Sequence, residues 1–284
     1  MQGSNERMRK RGWFLWVSAI VGIIGGSLFI ATLIQSSENS SSNFLCMLRQ
    51  QQGGGSVSPT STQLKAILHY ATSQVVPQQS LSEITITFDV LQSLKRPANF
   101  LVFGLGHDSL MWAGLNPRGK TLLLEEHPKT VLKDAPDLRA HTVRYRTQLR
   151  EADHLLSSYR SEAACSPASA TLRGNERCRL ALHNLPDEVY TTEWDLVMID
   201  APKGYFAEAP GRMAAIFSAA VMARDRKGSG VTHVFLHDVD RKVEKIYAEE
   251  FLCRKNLVKG VGRLWHFQIP PMSNHTRGGD ATFC

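Results

Sequence analysis

The sequence lacks the cysteine and histidine spacings of common zinc sites. Its five cysteines form no Cys-x-x-Cys pair, and no His/Cys cluster has the separations of zinc ligands. It also lacks a strong excess of one charge, because the formal net charge of +7 falls to +4 without the first eleven residues. A mildly basic chain of this kind is compatible with an acidic polymer and gives no indication of nucleic-acid binding.

Charge is also absent from one long segment, the 23 residues from Gly12 to Ile34. At helical rise this length spans a hydrocarbon core of roughly 30 Å. Four basic residues lie directly before the segment, and the first charge after it is Glu38. The positive-inside rule therefore predicts a signal anchor that leaves residues 1–11 in the cytosol and the remainder in the lumen. A cleaved signal peptide is the competing interpretation, although no clear small-x-small site follows.

The segment 35–61 is rich in Ser, Gln and Gly, with the tract QQQGGG at 50–55. This composition buries little apolar surface and predicts a flexible lumenal stem. The length of residues 62–284 suits one α/β domain with a sizeable core. A signal anchor followed by a stem is the layout of Golgi-resident modifying enzymes, so we expect a single-pass Golgi membrane protein with a lumenal domain.

The five cysteines are consistent with a lumenal, oxidising compartment. Cys165 and Cys178 flank a loop-like segment and would close a short loop if they are bridged. Cys253 lies in a helix-like run and is predicted to be a buried thiol. Cys46, in the stem, is a candidate for a bond between chains.

The stretch 99–126 has the pattern of a nucleoside-binding unit. The apolar run 100–103 meets the turn Gly104-Leu105-Gly106, and a second apolar run ends at Glu125. In a doubly wound α/β domain, the glycines allow close backbone approach and the acid accepts bonds from ribose hydroxyls. Because Ser109 stands where a dinucleotide fingerprint has its third small residue, the turn favours S-adenosylmethionine over a nicotinamide dinucleotide.

Helix-like and strand-like runs alternate from residue 62 onward, which predicts a largely parallel sheet. Helices are expected over 63–73, 81–94, 152–161 and 211–223, and strands over 100–103, 121–124, 141–145, 196–199, 232–236 and 264–269. Acidic groups follow three of these strands: Glu125 with Glu126, then Asp200, and then the pair His237-Asp238. Since ligands of such sheets bind at the carboxyl ends of the strands, we expect these groups to form one site.

Several tracts resemble the plant glucuronoxylan 4-O-methyltransferases, a family of Golgi cell-wall enzymes. They are NFLVFGLGHDSLMW, WDLVMIDAPKGYFAEAPGRMAAIFSAAVMAR, GVTHVFLHDVDRKVEK, EEFLCRKN and GRLWHF. The resemblance covers residues from about 62 to 270 in nearly the same order and spacing. It implies a Rossmann-like class I S-adenosylmethionine-dependent methyltransferase domain. The implied reaction is methyl transfer from S-adenosylmethionine to O-4 of glucuronic acid side chains on xylan.

The resemblance also assigns cofactor-binding positions. Gly104, Gly106 and His107 fall on the glycine turn of the family, and Glu125 falls on the ribose-binding acid. Asp200 occupies the acid after the fourth strand, which is the position next to the methyl group in this fold.

Methylation of an alcohol requires a base or a metal, because the hydroxyl is a poor nucleophile at neutral pH. The candidates are Asp200, His237 and Asp238, with the histidine as a general base oriented by Asp238 or Asp240. Alternatively, Asp200 and Asp238 share a divalent metal ion that lowers the pKa of the hydroxyl.

A uronic acid substrate needs a cation for its carboxylate, and a forked guanidinium suits it best. Lys203, Arg212 and Arg241 follow strand-end motifs and are the candidates for this role.

Two other functions remain open from the sequence. One is a methyltransferase for glucuronic acid of arabinogalactan, which is a branch of the same family. The other is a non-catalytic Golgi protein needed for xylan synthesis, and cofactor binding would separate it from the enzymes.

Overall fold

The structure, a computed structural model, describes residues 58–94, 96–128, 137–167, 170–272 and 282–284. The predicted anchor, Cys46 and most of the predicted stem lie outside these ranges. Within them, no helix has the length and apolar character needed to cross a membrane.

Seven strands pair in one sheet. In chain order they are β1 Asn99–Phe103, β2 Lys120–Glu125, β3 Arg139–Thr142, β4 Leu196–Ile199, β5 Thr232–Leu236, β6 Leu257–Val261 and β7 Leu264–Ile269. Across the sheet their order is β3-β2-β1-β4-β5-β7-β6. The first five strands are parallel, whereas β7 is antiparallel to both β5 and β6. The predicted α/β fold with a largely parallel sheet is confirmed.

Helices cover both faces of this sheet. They are α1 Ser61–Thr72, α2 Leu81–Ser93, α3 Ser109–Leu115, α4 Ala152–Ser158, α5 Asp187–Thr191, α6 Met213–Arg224 and α7 Lys242–Tyr247. The first two begin at capping boxes, in which Thr60 pairs with Gln63 and Ser80 pairs with Glu83. These reciprocal bonds satisfy amides that have no partner within the helix, which explains where both helices start.

The core lies on both sides of the sheet because successive strand residues point to opposite faces. In β1, Leu101 and Phe103 pack into one cluster, and Phe100 and Val102 pack into the other. The central strands are therefore continuous apolar runs, as expected for a parallel sheet covered on both faces. Helix α6 is almost entirely buried against the first cluster.

The strand register brings the candidate site residues to one edge of the sheet. Phe103 pairs with Leu124 on one side and with Ile199 on the other, and Ile199 pairs with Leu236. These four residues are each followed by a residue of the predicted site. The convergence expected from the sequence is thus a consequence of register.

The elements differ from the predictions mainly at β3, α4 and β6. Strand β3 ends at Thr142 rather than at 145, and α4 ends at Ser158 and continues as a 3-10 turn. Strand β6 was not predicted, because its sequence LVKGV is interrupted by lysine and glycine and is largely exposed. It is held instead by its antiparallel pairing with β7.

Two disulfide bonds lie in the described domain. Cys165 is bonded to Cys178, so the bridge that the sequence left conditional is formed. Cys253 is bonded to Cys284, so the prediction of a buried free thiol at Cys253 is wrong. The cause is the C-terminal residue pair, because Phe283 packs against aromatic rings of the core and brings its neighbour to Cys253.

A pair of histidines links β5 and β7, with His266 buried and His233 half-buried. The Nδ1 atom of His233 lies 2.9 Å from Nε2 of His266. Burial lowers the pKa of His266 to about 4, and the charge of His233 adds to this decrease. Burial also lowers the pKa of His233. The folded protein therefore keeps both imidazoles neutral at pH values where a free histidine is partly protonated.

We expect the free energy of unfolding to decrease as the pH falls from about 6.5 to about 4. In this range the unfolded chain binds protons more readily than the folded protein, which penalises folding. For His266 this penalty is absent above pH 6.5 and grows to on the order of 3 kcal/mol as the pH approaches 4. Urea unfolding of the wild type and His266→Phe measures it, with the exposed His154→Phe as control. Equal pH dependence in all three proteins would contradict this assignment.

Candidate active site

A cavity of about 390 Å³ opens at the carboxyl edge of the parallel strands. Its wall combines the glycine turn after β1, the acid at the end of β2, and the segments that follow β4 and β5. The cavity therefore lies where doubly wound α/β domains bind their ligands.

The backbone of the glycine turn packs closely against the segment after β4 at Gly104. Gly104 has φ +129°, and a Cβ atom there would approach the Cβ of Ala201 to 3.3 Å. The amide of Gly106 donates to Oγ of Ser109 at 2.9 Å. The serine that replaces the third glycine of a dinucleotide fingerprint thus closes the turn.

Glu125 joins the glycine turn to the end of β2. Its carboxylate accepts hydrogen bonds from the amides of Leu105 at 3.2 Å and Glu126 at 2.8 Å. The side chain is half-buried and lines the cavity. This places the predicted ribose-binding acid beside the backbone that would approach a nucleoside. Burial and the charge of Glu125 raise the pKa of the adjacent Glu126.

His107 also lines the cavity, and helix α1 fixes its position. The hydroxyl of Tyr70 donates to the carbonyl of His107 and accepts from the amide of Met111 at 3.1 Å. The His107 Nε2 atom lies 3.3 Å from Oγ of Ser73. Helix α1, through Tyr70, and Ser73 directly after it therefore hold the glycine turn in position.

Asp108 was not predicted as a site residue, yet it lines the same cavity. Its carboxylate accepts a hydrogen bond from Nε1 of Trp112 at 2.8 Å. Burial, together with the negative charge of Asp200, raises the pKa of Asp108. The signal in the sequence was an acid two positions after the second glycine, at the start of α3.

Asp200 projects from the end of β4 into the cavity with 17% of its side chain exposed. Its Oδ1 atom lies 2.8 Å from Nδ1 of His237 and 3.2 Å from the guanidinium of Arg212. Its Oδ2 atom accepts from Nε2 of Gln79 at 3.0 Å. Burial alone would raise the pKa of Asp200, but the bond to His237 and the charge of Arg212 outweigh it, so the pKa is lowered.

His237 is fully buried and does not line the cavity. Its Nδ1 is bonded to Asp200, while Nε2 has no hydrogen-bond partner and lies 3.8 Å from a carboxylate oxygen of Glu83. The ring is thus closed off from the cavity, and the role of His237 as a general base oriented by Asp238 or Asp240 stays a prediction. The apolar strand that precedes His237 buries the ring, which positions Asp200.

Asp238 is the centre of an arginine cluster rather than a reacting group. Its Oδ2 lies 2.7 Å from Arg212 and 3.0 Å from Arg241, and its Oδ1 lies 2.6 Å from Arg263. The residue adopts φ +61°, a left-handed conformation that costs free energy for a residue other than glycine. The three ion pairs hold it there.

Arg212 is buried and fully engaged, so the predicted contact between it and a substrate carboxylate is not available. Its guanidinium donates to the carbonyls of Asp200 and His237, both at 2.6 Å, and pairs with Asp200 and Asp238. It ties together the ends of β4 and β5. The low exposure, 4% of the side chain, follows from this position between the strand ends.

The carboxylates of Asp200 and Asp238, which could bind a metal ion at this edge, are already paired with arginine side chains. Asp200, His237 and Asp238 each present a ligand atom within 4.8 Å of the others. However, the Arg212 guanidinium contacts both carboxylates, and both oxygens of Asp238 are paired with arginines. A metal ion shared by Asp200 and Asp238 would have to displace this cation. The residues in this arrangement do not fit the metal-bridged alternative.

Lys203 and Arg241 line the cavity and remain candidates for binding an acidic substrate. Lys203 is exposed and has no salt bridge among the residues that the structure describes. Arg241 keeps 31% of its side chain exposed while it pairs with Asp238.

We expect Asp238→Asn to lower the free energy of unfolding by about 3 kcal/mol, because it removes a counter-charge of the buried Arg212 and of the partly exposed Arg241 and Arg263. Asparagine tolerates the left-handed conformation, so the change isolates the charge. Asp225→Asn is the matched control, since Asp225 pairs with Lys227 in the open with both side chains 66% exposed. Its effect should stay within about 0.5 kcal/mol. Equal losses in the two variants, measured by urea unfolding, would contradict the proposed importance of the cluster.

The chain is similar in sequence to plant O-methyltransferases over most of their length. Arabinogalactan O-methyltransferase 1 of Arabidopsis thaliana is 59% identical over 285 residues, which cover 97% of this chain and 98% of that protein. Glucuronoxylan 4-O-methyltransferase 1 of the same plant is 48% identical over 212 residues, covering 72% and 73%. Among solved structures, the MycE methyltransferase of the mycinamycin pathway, in complex with Mg and SAH, aligns with a TM-score of 0.38 and 12% identity. It covers 78% of this chain and 57% of that one.

A family profile matches the part of the chain that forms the sheet and its site. The profile is described as IRX15/IRX15L/GXM, and the match runs over residues 82–267, from α2 into β7. This match covers more than half of the sequence and contains the glycine turn, Glu125, Asp200 and Asp238. The chain therefore belongs to the IRX15/IRX15L/GXM family.

Proposed function

We propose that this chain transfers a methyl group from S-adenosylmethionine to a hydroxyl of glucuronic acid on a plant cell-wall polysaccharide. The observation that carries the proposal is the cavity that the glycine turn, Glu125 and Asp200 line together at the carboxyl edge of the sheet. Full-length relatives that are named O-methyltransferases support the same reaction class.

The residues of the glycine turn fit the adenosyl part of this donor. The backbone at Gly104 and Gly106 allows close approach, and the Glu125 carboxylate is placed to accept bonds from ribose hydroxyls. Asp108 and His107 complete that side of the cavity. When bound, the donor supplies a methyl group made electrophilic by a positively charged sulfur.

Asp200 receives and orients the acceptor hydroxyl. Its Oδ2 accepts one hydrogen bond, from Gln79, among the residues that the structure describes. A lone pair therefore remains for the hydroxyl, while His237 and Arg212 fix Oδ1. Because its pKa is lowered, Asp200 is a carboxylate at neutral pH and holds the hydroxyl by a charge-assisted bond. The proton passes to Asp200 as the oxygen–methyl bond forms, and orientation supplies much of the acceleration.

The carboxylate of the sugar binds Lys203, and Arg241 provides a second, partly neutralised cation. Both side chains line the same cavity as Asp200. A uronic acid held in this way brings the hydroxyls of its ring towards Asp200.

Two polysaccharides are candidate acceptors. The motifs of the sequence predict O-4 of glucuronic acid on xylan, and this stays a prediction. Identity favours arabinogalactan, because the arabinogalactan enzymes of Arabidopsis thaliana are 59% and 56% identical over 97% and 100% of this chain. The xylan enzymes are 38–48% identical. We therefore rank arabinogalactan first and xylan second.

We also propose that residues 12–34 anchor the enzyme in the Golgi membrane with residues 62–284 in the lumen. The proposal rests on the 23 uncharged residues and the basic residues before them.

The proposal predicts that Asp200→Asn lowers methyl transfer by about 10²- to 10⁴-fold, since it removes the proton acceptor and its charge. Donor binding should change little, because the turn and Glu125 are untouched. The measurement uses labelled S-adenosylmethionine with unmethylated arabinogalactan and glucuronoxylan as separate acceptors. Label on arabinogalactan alone supports arabinogalactan as the acceptor, and label on glucuronoxylan alone supports xylan.

The matched control is Asp187→Asn, an exposed acid on α5 away from the cavity. Full activity of Asp200→Asn would contradict the role of Asp200. Folded wild-type protein that binds the donor but labels neither polymer would contradict both acceptors, and folded protein that binds no donor would favour the non-catalytic alternative. The same assay with and without a chelator tests for a metal requirement. Loss of activity with the chelator would contradict the arrangement in which Arg212, rather than a metal ion, lies between the carboxylates of Asp200 and Asp238.

A further inference from the structure

Two aromatic side chains beside the cavity are left open to solvent. Tyr205 is 66% exposed and Phe206 is 45% exposed. Among the Phe, Tyr and Trp residues that the structure describes, these two alone belong to the exposed class. Adjacent exposed aromatic rings at the mouth of a ligand cavity indicate a binding surface.

The backbone under these rings is held in place. The carbonyl of Lys203 accepts a hydrogen bond from the amide of Gly211 at 2.9 Å, and the carbonyl of Ala207 accepts from that of Arg150 at 3.0 Å. The two ends of the segment 203–211 are therefore bonded to each other, and its middle is bonded to Arg150. Its exposed rings are part of an ordered surface.

Close packing against helix α7 adds to this order. Gly204 is buried, and a Cβ atom there would lie 2.7 Å from Oε1 of Glu244. The Glu244 carboxylate is buried without a hydrogen bond, and its nearest cation is Arg241 at 3.8 Å. The segment thus lies directly on this helix, and a side chain at position 204 would force the Glu244 carboxylate to move.

The rings adjoin the cations that face the cavity. Tyr205 lines the cavity together with Lys203 and Arg241. An acidic sugar bound at these cations would therefore have its polymer neighbours beside the rings. The apolar C–H faces of sugar rings pack against aromatic rings, which also exclude water from the contact.

We propose that Tyr205 and Phe206 form an acceptor platform for the sugars next to the methylated glucuronic acid, a role that rests on the proposed function. Their ring centroids are 5.2 Å apart and their planes are inclined by 69°. Two rings at this angle cannot lie flat on one sugar, so they contact two sugar planes, as at a branch point. The chain thus selects a substituted oligosaccharide over free glucuronic acid.

Calorimetry with the full chain in detergent tests this platform. Titrations with S-adenosylhomocysteine present use free glucuronic acid and a branched oligosaccharide that carries glucuronic acid, from xylan and from arabinogalactan. We expect the wild type to bind one oligosaccharide at least about tenfold more tightly than the free acid, a difference of about 1.4 kcal/mol. The double variant Tyr205→Ala/Phe206→Ala should lose this preference and keep its affinity for S-adenosylhomocysteine.

Two control variants separate the rings from other effects. Tyr205→Phe/Phe206→Tyr keeps both rings and should retain the preference. Val258→Ala removes an exposed apolar side chain on strand β6 and should behave as the wild type.

The outcomes distinguish the platform from the reaction. Loss of oligosaccharide binding in the alanine variant supports the platform even if no methyl transfer is detected, in which case the proposed function alone fails. Methyl transfer with equal oligosaccharide binding by wild type and alanine variant overturns the platform and leaves the function intact. Unchanged sugar binding with reduced self-association in sedimentation would also overturn it, by assigning the rings to a protein interface. A wild type that binds no sugar overturns both.

Discussion

The Asp238 carboxylate lies between three guanidinium groups that come from three separate parts of the chain. Arg212 precedes helix α6, Arg241 precedes α7, and Arg263 lies in the turn between β6 and β7. Through these bonds one residue at the end of β5 connects the segments that follow β4, β5 and β6. The geometry of Asp200 depends on the same cluster, since Arg212 pairs with both carboxylates. The position of the reacting edge is thus fixed by charge as well as by strand register.

The surroundings of Asp200 and Asp108 shift the pKa values of these two carboxyl groups in opposite directions. Asp200 has a lowered pKa because His237 and Arg212 outweigh its burial, whereas burial and the charge of Asp200 raise the pKa of Asp108. Groups whose pKa values are displaced in opposite directions within one cavity are typical of sites that handle protons. The guanidinium of Arg212 lies where a shared metal ion would otherwise neutralise the two strand-end acids. The protein therefore supplies from its own chain the positive charge that keeps Asp200 ionised.

Local patterns in the sequence predict most of the fold and half of the site. The apolar runs predict six of the seven strands, and the rule that ligands bind at their carboxyl ends places Gly104, Glu125 and Asp200 at one edge. The pairing of Asp238 with Arg263 could not be predicted, because it joins residues 25 positions apart through side-chain geometry. The same limit applies to Cys253 and Cys284, which meet because Phe283 enters the core. The burial of His237 could not be predicted either, because position in a sequence does not reveal which side of a strand end is buried.

Binding of S-adenosylhomocysteine, measured by calorimetry, tests the central claim most directly, namely that this edge of the sheet is a donor site. The account predicts saturable one-to-one binding by the wild type. Glu125→Ala should weaken that binding at least about tenfold, and Asp225→Ala, at an exposed acid that does not line the cavity, should leave it unchanged. Absence of binding to folded protein, or equal binding by the wild type and Glu125→Ala, would contradict the account.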